Sequence, residues 1–309
     1  MTHKITIGTR GSLLALWQTN WVKIELEKRH PGIEVEVRTI STKGDRVLNV
    51  SLPKLGEQGK GLFTKELEDA LFDRRVDLAV HSLKDLPTEL PAGLHIGAIC
   101  EREDVRDALV ARGDIGSFGE LRREALVGTS SLRRRAQLRA ARQDLIIEPV
   151  RGNVDTRLRK LDAGEYDAIV LAAAGLMRLG YAHRITELLN EDLVLPAVGQ
   201  GAIAIESRAD DSATAEIIHA LNHETTQLAC SAERAFLRGL GGGCLVPIAA
   251  NARIESNVLT LRGLVANPDG SEVIQDQRAG PSPNAEVIGR ELADTLLEQG
   301  AARILNSRD

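Results

Sequence analysis

Cys244 has unusual neighbours in this 309-residue sequence, because three consecutive glycines precede it and an apolar run broken by a proline follows it. Glycine frees the backbone from the limits that a side chain imposes, so we expect the sulfur on an exposed loop. The same stretch also fits a glycine-rich helix end that carries no chemistry. The other two cysteines, Cys100 and Cys230, lie in apolar strand and helix patterns that are typical of buried packing residues. Only Cys244 is therefore a candidate for a reactive thiol.

A second set of residues suited to chemistry follows the predicted strands, at the point where each strand ends. These polar turns are Thr9–Ser12, His81–Asp85, Thr129–Arg134 and Arg151–Asn153. Ligands of open α/β sheets bind beyond the carboxyl ends of the strands. Serine and threonine at a helix start, with free backbone N–H groups and neighbouring arginines, form an anion site. Each turn alone also fits simple helix capping, but four equivalent turns favour a site for an anionic ligand.

Asp85 is the acidic exception within these cationic turns. A carboxylate placed where anions bind would weaken their binding unless it has a task of its own. Stabilising positive charge that develops on a substrate is such a task. The alternative is that Asp85 pairs with Lys84 or caps the turn that follows. Its position favours a chemical role.

A concentrated basic stretch lies between Leu121 and Lys160, although the whole chain has a net charge of −5. It contains eleven arginine or lysine residues and four aspartate or glutamate residues. Aromatic side chains on which bases could stack are almost absent there, which disfavours single-stranded nucleic acid. Small carboxylates or phosphates fit the stretch better, and a solvated helix face is the alternative for 132–142 taken alone.

The composition indicates a cytoplasmic protein with more than one domain. A chain of 309 residues that is 43% hydrophobic can bury more than one core. Three cysteines are too few, and odd in number, for a secreted disulfide framework. No apolar signal segment opens the chain and no stretch reaches membrane-spanning length, so we expect no membrane partner. We also expect no metal site.

The order of predicted elements indicates an α/β fold with a different C-terminal part. A strand in "KITIG", a helix from Ser12 to Lys28 and further alternating strands and helices form a first series. A second series begins at "ALVGTSS" and predicts a second doubly wound α/β domain. From residue 225 onward a helix, strands joined by a "PDG" turn and an amphipathic helix predict a smaller α+β domain.

Five motifs together resemble those of the porphobilinogen deaminase (hydroxymethylbilane synthase) family. They are "HSLKDLP" (81–87), "GTSSLRRRAQL" (128–138), "RGNVDTRL" (151–158), "LPAVGQGAIAIE" (195–206) and "LGGGCLVPI" (240–248). The resemblance runs nearly from end to end. It implies a monomeric cytoplasmic transferase of porphyrin and heme biosynthesis that joins four porphobilinogen molecules head to tail, releases ammonia and frees the linear tetrapyrrole hydroxymethylbilane.

The resemblance also implies three domains. The first would comprise residues 1–100 plus 200–217 and the second residues 105–195, both doubly wound and similar to periplasmic binding proteins. The third would comprise residues 222–309 and carry the cysteine loop.

By resemblance, Cys244 carries a dipyrromethane cofactor, a two-pyrrole primer attached through a thioether. A soft sulfur nucleophile on an exposed loop suits this role, because a thioether is not cleaved under reducing conditions. Asp85 is implied as the catalytic carboxylate, which would stabilise the cationic azafulvene-like species formed when the amine leaves.

The motif match extends to residues that bind the carboxylates of the primer and the substrate. For the cofactor the implied residues are Ser82, Lys84, Thr129, Ser131, Arg133, Arg134 and Arg151. For the substrate they are Arg10, Ser12, Gln18, Phe63, Arg157, Arg178 and Gln200. Each pyrrole unit brings an acetate and a propionate, which explains the number of arginines.

Two stretches depart from the family pattern. Gly241 stands where a glutamate is usual and Leu245 where a glutamine is common, which should loosen the cysteine loop without removing its nucleophile. The segment "PKLGEQGKGLF" (53–63) has one residue more than usual between Lys54 and Lys60, and Phe63 follows as expected. This long, glycine-rich segment is predicted to act as a mobile lid.

Two other classes of protein remain as alternatives on the sequence alone. A clamshell solute-binding protein for a small anion would have the same α/β domains, but it would carry an export signal. A cysteine hydrolase would need a histidine partner, and none of the seven histidines lies in a comparable motif.

Overall fold

The computed structural model describes residues 3–43, 64–242 and 247–306, and the chain divides into two compact units. The first unit comprises the described residues of Met1–Glu103 and Ala202–Gln227. The second comprises those of Asp104–Gly201 and Leu228–Asp309. The boundaries predicted for three domains stay a prediction. They would separate residues 105–195 from residues 222–309 as two domains.

Strands and helices alternate through most of the described chain. The strands are β1 His3–Thr9, β2 Ile33–Thr39, β3 Leu78–Ser82, β4 Leu94–Ile99, β5 Asp107–Ala111, β6 Leu126–Gly128, β7 Ile146–Glu148, β8 Ala168–Ala172, β9 Glu187–Leu188, β10 Ile203–Arg208, β11 Ile248–Glu255, β12 Val258–Ala266 and β13 Val273–Pro281. The α-helices are α1 Leu13–Arg29, α2 Lys65–Phe72, α3 Leu132–Ala141, α4 Val154–Asp162, α5 Ala173–Arg178, α6 Ser212–His219, α7 Glu224–Gly239, α8 Ala285–Leu296 and α9 Ala302–Asn306. None of the helices in these ranges is long and apolar enough to cross a membrane.

The first unit is built on a five-stranded sheet with the strand order β2-β1-β3-β10-β4. β1 is parallel to both β2 and β3, whereas β10 is antiparallel to β3 and β4. One core of this unit contains Ile7 of β1, Leu26 of α1 and Ile205 of β10. The sheet is therefore doubly wound with one reversed strand, and this strand lies far along the chain from its neighbours.

The second unit contains a sheet of the same design, with the order β7-β6-β8-β5-β9. β6 is parallel to β7 and β8, and β5 is antiparallel to β8 and β9. The two doubly wound α/β sheets that the sequence predicted are thus confirmed. The sequence pattern did not identify β5, β9 or β10, because each is short or adjoins charged residues.

The C-terminal part of the second unit is a three-stranded antiparallel sheet, β11-β12-β13, covered by helices. Phe236 of α7, Leu261 of β12 and Leu292 of α8 belong to its buried core. The predicted "PDG" turn joins β12 to β13, and its Gly270 has φ +76° where a Cβ would lie 2.6 Å from the carbonyl oxygen of Ala136. Glycine is required there because the turn approaches the backbone of α3 closely. The predicted α+β character of this part is confirmed.

Candidate functional site

In the first unit, the turn after β1 leads directly into α1. Ser12 is the N-cap of α1 and its Oγ accepts a hydrogen bond of 3.3 Å from the backbone N–H of Ala15. This capping bond fixes the first turn of the helix. Arg10, two residues earlier, is partly buried beside the same turn. The capping role that the sequence allowed for Ser12 is therefore present, and a ligand contact stays a prediction.

The carboxyl ends of β1 and β3 are joined through side chains of α1. Gln18 and Ser82 exchange hydrogen bonds, with Nε2 donating to Oγ at 2.9 Å and Oγ to Oε1 at 3.2 Å. Thr19 Oγ1 donates to Thr9 Oγ1 at 2.7 Å in a buried position. The structure thus brings together Gln18 and Ser82, two of the predicted site residues, although 64 positions separate them.

Asp85 ends a single 3₁₀ turn, Leu83–Asp85, that follows β3 directly. Leu83 and Leu86 are buried, 1% and 6% exposed, whereas Lys84 and Asp85 between them are exposed. The backbone N–H of Leu86 donates to the carbonyl oxygen of Leu83 at 3.1 Å, so the turn closes without the Asp85 side chain. Two buried leucines therefore hold the turn while the intervening charged pair projects outward.

In the second unit, the turn after β6 repeats this arrangement at the start of α3. Ser131 is the N-cap, and its Oγ accepts from the backbone N–H of Arg134 at 3.4 Å. Ser130 Oγ donates to the carbonyl oxygen of Val150 at 2.7 Å, and Thr129 is buried. The first turn of α3 contains no acidic residue, so no side chain of the helix itself neutralises its positive dipole end.

Arg133 and Arg134, the first arginines of α3, bind one buried carboxylate. Arg133 Nη1 lies 2.7 Å from Asp107 Oδ2, while Arg134 Nε and Nη2 lie 3.0 and 2.7 Å from Asp107 Oδ1. Asp107 is 0% exposed and each arginine is 6% exposed. Asp107 was not among the residues predicted from the sequence, because nothing near it in the chain shows that the two arginines approach the start of β5.

The charges of this cluster do not cancel. Burial by itself would raise the pKa of Asp107, but the positive charges of Arg133 and Arg134 and their hydrogen bonds outweigh it and hold that pKa well below its usual range. Arginine stays protonated in proteins. Two positive charges against one negative charge leave one positive charge in excess in a buried position, which favours an anionic ligand.

Other predicted arginines of the second unit are fixed by backbone carbonyls. Arg157 Nε donates to the carbonyl oxygen of Gly152 at 2.7 Å, and Arg178 Nη2 to that of Gly201 at 2.7 Å. Both side chains are partly buried, as is Arg151. A backbone carbonyl therefore orients the guanidinium group of Arg157 and that of Arg178.

The remaining predicted residues lie deeper or outside the described residues. Gln200 is 0% exposed, and its Nε2 donates to Asp107 Oδ1 at 2.9 Å and to the carbonyl oxygen of Val105 at 2.7 Å. Its predicted contact with substrate stays a prediction. Cys244 and Phe63, together with the segment predicted as a lid, lie outside the described residues. Cys100 and Cys230 are both buried, which confirms their expected packing role.

The arrangement suits the binding of carboxylates by fixed cations. The described residues contain no group of three or more histidine, cysteine, aspartate or glutamate side chains that could hold a metal ion. The donors are serines at helix starts and oriented guanidinium groups, which match the planar shape of a carboxylate. The fold and these residues therefore define an α/β protein whose capped helix starts and oriented guanidinium groups suit carboxylate-bearing ligands.

The chain belongs to the porphobilinogen deaminase family. The family model "Porphobilinogen deaminase, dipyromethane cofactor binding domain" matches residues 5–216, and "Porphobilinogen deaminase, C-terminal domain" matches residues 227–298. Both doubly wound sheets lie within the first match except for the first two residues of β1, and β11 to β13 lie within the second.

Curated relatives match over almost the whole chain. A porphobilinogen deaminase of Trichlorobacter lovleyi is 51% identical over 302 residues, covering 98% of this chain and 96% of the relative. Proteins of the same name from Prochlorococcus marinus and Syntrophotalea carbinolica are each 53% identical, covering 98% and 99% of this chain and 95% and 96% of the relatives. The resemblance inferred from the five motifs is thereby confirmed.

Solved structures of solute-binding proteins align with much less similarity. A probable amino-acid ABC transporter extracellular-binding protein from Bacillus subtilis aligns with a TM-score of 0.43 and 13% identity, covering 72% of this chain and 91% of its own. A TRAP periplasmic solute binding protein from Desulfovibrio salexigens aligns with a TM-score of 0.43 and 12% identity, covering 74% of each chain.

Proposed function

We propose that this chain is a transferase that joins four porphobilinogen molecules head to tail into hydroxymethylbilane, releasing one ammonia for each molecule added. The observation that carries the proposal is family membership across 98% or more of the chain. The carboxylate-binding character of both units supports it, because each porphobilinogen carries an acetate and a propionate group.

The covalent dipyrromethane cofactor is attached through a thioether to Cys244 in this proposal. Cys244 suits this role because a glycine run precedes it in the sequence, whereas the other two cysteines are buried. α7 ends at Gly239 and β11 begins at Ile248, so the carrier residue lies in the connection between two packed elements. When bound, dipyrromethane supplies the pyrrole carbon at which the chain is extended.

The residues of the second unit fit a group that carries several carboxylates. The buried cluster of Arg133, Arg134 and Asp107 has one positive charge in excess. A buried excess of positive charge is stabilised when a negatively charged carboxylate binds beside it. With the start of α3 these arginines hold the primer, and the cofactor-binding set is completed by Ser82, Lys84, Thr129, Ser131 and Arg151.

The substrate carboxylates are bound by the remaining cationic and polar side chains. This set comprises Arg10, Ser12, Gln18, Phe63, Arg157, Arg178 and Gln200. Arg157 and Arg178 support this proposal because a backbone carbonyl orients each guanidinium group. Oriented donors bind a carboxylate with little loss of side-chain entropy.

Asp85 is the catalytic carboxylate of the proposal. It stabilises the positive charge that develops on the substrate as its amine leaves, and it accepts a hydrogen bond from the pyrrole N–H group. Its position on an outward-facing turn between two buried leucines supports this role, because the carboxylate is presented to a ligand on a fixed backbone.

The enzyme acts in the cytoplasm as a monomer with three domains, on a small-molecule substrate, without nucleic acid or membrane partners. The net charge of −5 and the absence of a stacking platform in the basic stretch support the exclusion of nucleic acid. A reducing compartment also suits a reactive thiol.

Two measurements test the proposal. The first is the mass of the intact protein under denaturing conditions, and the second is product formation when a separate sample of the folded protein is incubated with porphobilinogen. We expect a covalent addition equal to two pyrrole units and the formation of a linear tetrapyrrole with release of ammonia. A solute-binding protein would bind an anion reversibly and show no added mass. Absence of both the added mass and turnover would overturn the proposed function.

A further inference from the structure

Asp107 is a buried carboxylate surrounded by four donor groups, and no step of the proposed reaction uses it directly. Arg133 Nη1 donates to Oδ2 at 2.7 Å. Oδ1 accepts from Arg134 Nε at 3.0 Å, from Arg134 Nη2 at 2.7 Å and from Gln200 Nε2 at 2.9 Å. Both carboxylate oxygens are thus occupied by side chains that the reaction is proposed to need.

These contacts use the two arginines to different extents. Arg134 places Nε and Nη2 on Asp107 and Nη1 on the carbonyl oxygen of Val170 at 3.0 Å, so all three of its nitrogens are engaged. Arg133 uses Nη1 alone, for Asp107 and for the carbonyl oxygen of Leu195 at 2.7 Å. Within the described ranges no hydrogen bond is found for Arg133 Nε or Nη2. The two arginines therefore have different capacities for a ligand.

Asp107 is itself held by a network that reaches the C-terminal part of the second unit. Gln200 donates to Asp107, and its neighbour Gly199 donates its backbone N–H to Glu233 Oε2 at 2.7 Å. Glu233 Oε1 accepts from the backbone N–H of Ala252 at 2.9 Å, and Glu233 is 0% exposed. Two buried carboxylates thus fix the Gly199–Gln200 segment from α7 and from β5.

We infer that Asp107 is a positioning residue for carboxylate binding, which locks Arg134 as a support and orients Arg133 toward the ligand. The inference rests on the proposed function. Fixed donors that need no rearrangement bind a ligand more tightly than mobile ones, because the ordering cost is met during folding. The negative charge of Asp107 also lowers the net charge of the two arginines from two positive charges to one. The cluster therefore matches a single carboxylate of primer or substrate.

A purely structural role for Asp107 makes a different prediction. Loss of a buried partner would then lower stability without changing the affinity of the folded enzyme for porphobilinogen. The KM for porphobilinogen and the occupancy of the covalent adduct in folded protein separate the two roles. Thermal unfolding measures the structural effect independently.

Asp107→Asn in the full chain is the direct test, with Asp144→Asn as the matched control. Asp144 binds Arg142 at the opposite end of α3, with Nε and Nη2 both 2.7 Å from its oxygens. For Asp107→Asn we expect folded protein whose KM rises roughly 10- to 100-fold, or whose adduct is lost, because a small misplacement of binding groups has effects of this size. For Asp144→Asn we expect an unchanged KM and full adduct.

Asp107→Glu is the second variant in case Asp107→Asn does not fold. It keeps a negative charge beside the two buried arginines but displaces it by one methylene, so we expect a rise in KM in the same direction. A normal KM and full adduct in Asp107→Asn would overturn the inference, and so would the same result in Asp107→Glu if Asp107→Asn does not fold. An active wild type would then still uphold the proposed function. A wild-type chain without adduct or turnover would overturn both.

Discussion

His81 and Glu206 form a buried pair across two neighbouring strands, with His81 Nε2 2.9 Å from Glu206 Oε2. Their side chains are 4% and 0% exposed. β3 and β10 are antiparallel, and His81 lies opposite Ala204, which places Glu206 diagonally beside it on the same face. His81 belongs to β3, which ends at Ser82 and continues into the turn with Asp85. The pair therefore supports the backbone on which the proposed catalytic carboxylate is placed.

Glu206→Leu should destabilise the first unit, because it leaves a buried imidazole nitrogen of His81 without its partner. An unsatisfied buried polar group costs about 1–3 kcal/mol. Glu206→Gln keeps a hydrogen-bonding partner and should cost less. Urea unfolding measures both, with Glu36→Gln as the control, since Glu36 is 40% exposed in a surface pair with Lys4. Equal stability of the Leu and Gln variants would contradict the importance of the pair.

Cys244→Ser should give folded protein that lacks the covalent two-pyrrole addition and has negligible turnover. An oxygen at this position is a weaker nucleophile than a thiolate and would not form the thioether. Mass measurement of the denatured protein reports the addition directly. Cys100→Ser and Cys230→Ser serve as controls that should keep it, because both residues are buried. Retention of the added mass in Cys244→Ser would remove this residue from the carrier role.

Asp85→Asn should preserve folding and the covalent adduct while turnover collapses. The side chain is exposed, so its exchange should alter stability by no more than about 0.5 kcal/mol. The lost negative charge would no longer stabilise the cation that develops when ammonia leaves. Turnover, together with mass analysis after a pulse of porphobilinogen, distinguishes a block in elongation from a block in primer assembly.

Asp85→Glu should retain a small residual activity, since the charge persists but is displaced by one methylene. A displacement of about 1 Å can cost roughly a hundredfold in rate. Glu89→Gln, a nearby exposed change, should behave like the wild type. Near-normal turnover by Asp85→Asn would mean that charge at this position is dispensable, even with the family assignment intact.

Glu68→Gln should stabilise the protein at neutral pH. Burial, together with the nearby charge of Glu206, raises the pKa of the Glu68 carboxyl. A carboxyl whose pKa is higher in the folded than in the unfolded state stabilises the fold when protonated. This contribution is complete below the unfolded pKa, about 4.3 for glutamate, and is lost as pH rises through the folded value.

The unfolding free energy of wild type and Glu68→Gln, measured between pH 4 and pH 8, should therefore diverge as pH rises. The Glu68→Gln variant has no ionisable group at this position. Its unfolding free energy therefore does not fall with the ionisation of Glu68, as that of the wild type does. Glu216→Gln, an exposed change on α6 of the same unit, should run parallel to the wild type. Parallel curves for Glu68→Gln would show that Glu68 titrates as in the unfolded chain.

Features that depend on a few neighbouring residues could be predicted from the sequence. The helix predicted from Ser12 to Lys28 is α1, Leu13–Arg29, because the Ser12 hydroxyl caps the N–H group three residues later. Ser131 places the start of α3 in the same way. Strand alternation and turn chemistry are also local, so the two α/β series, the antiparallel C-terminal sheet and the motifs of the family followed from sequence alone.

Contacts between distant parts of the chain were decided by the tertiary structure. His81 and Glu206 are separated by 125 positions, and Asp107 lies 26 and 27 positions before the two arginines that it binds. β5 and β10 are reversed strands placed fourth in their sheets, and no local pattern shows which strands will lie beside them. A charged side chain can be buried only where partners of opposite charge surround it, and those partners are known only once the sheet order is fixed. The sequence therefore determined the family and the positions of the cationic turns, whereas the fold decided that Arg133 and Arg134 share a buried carboxylate.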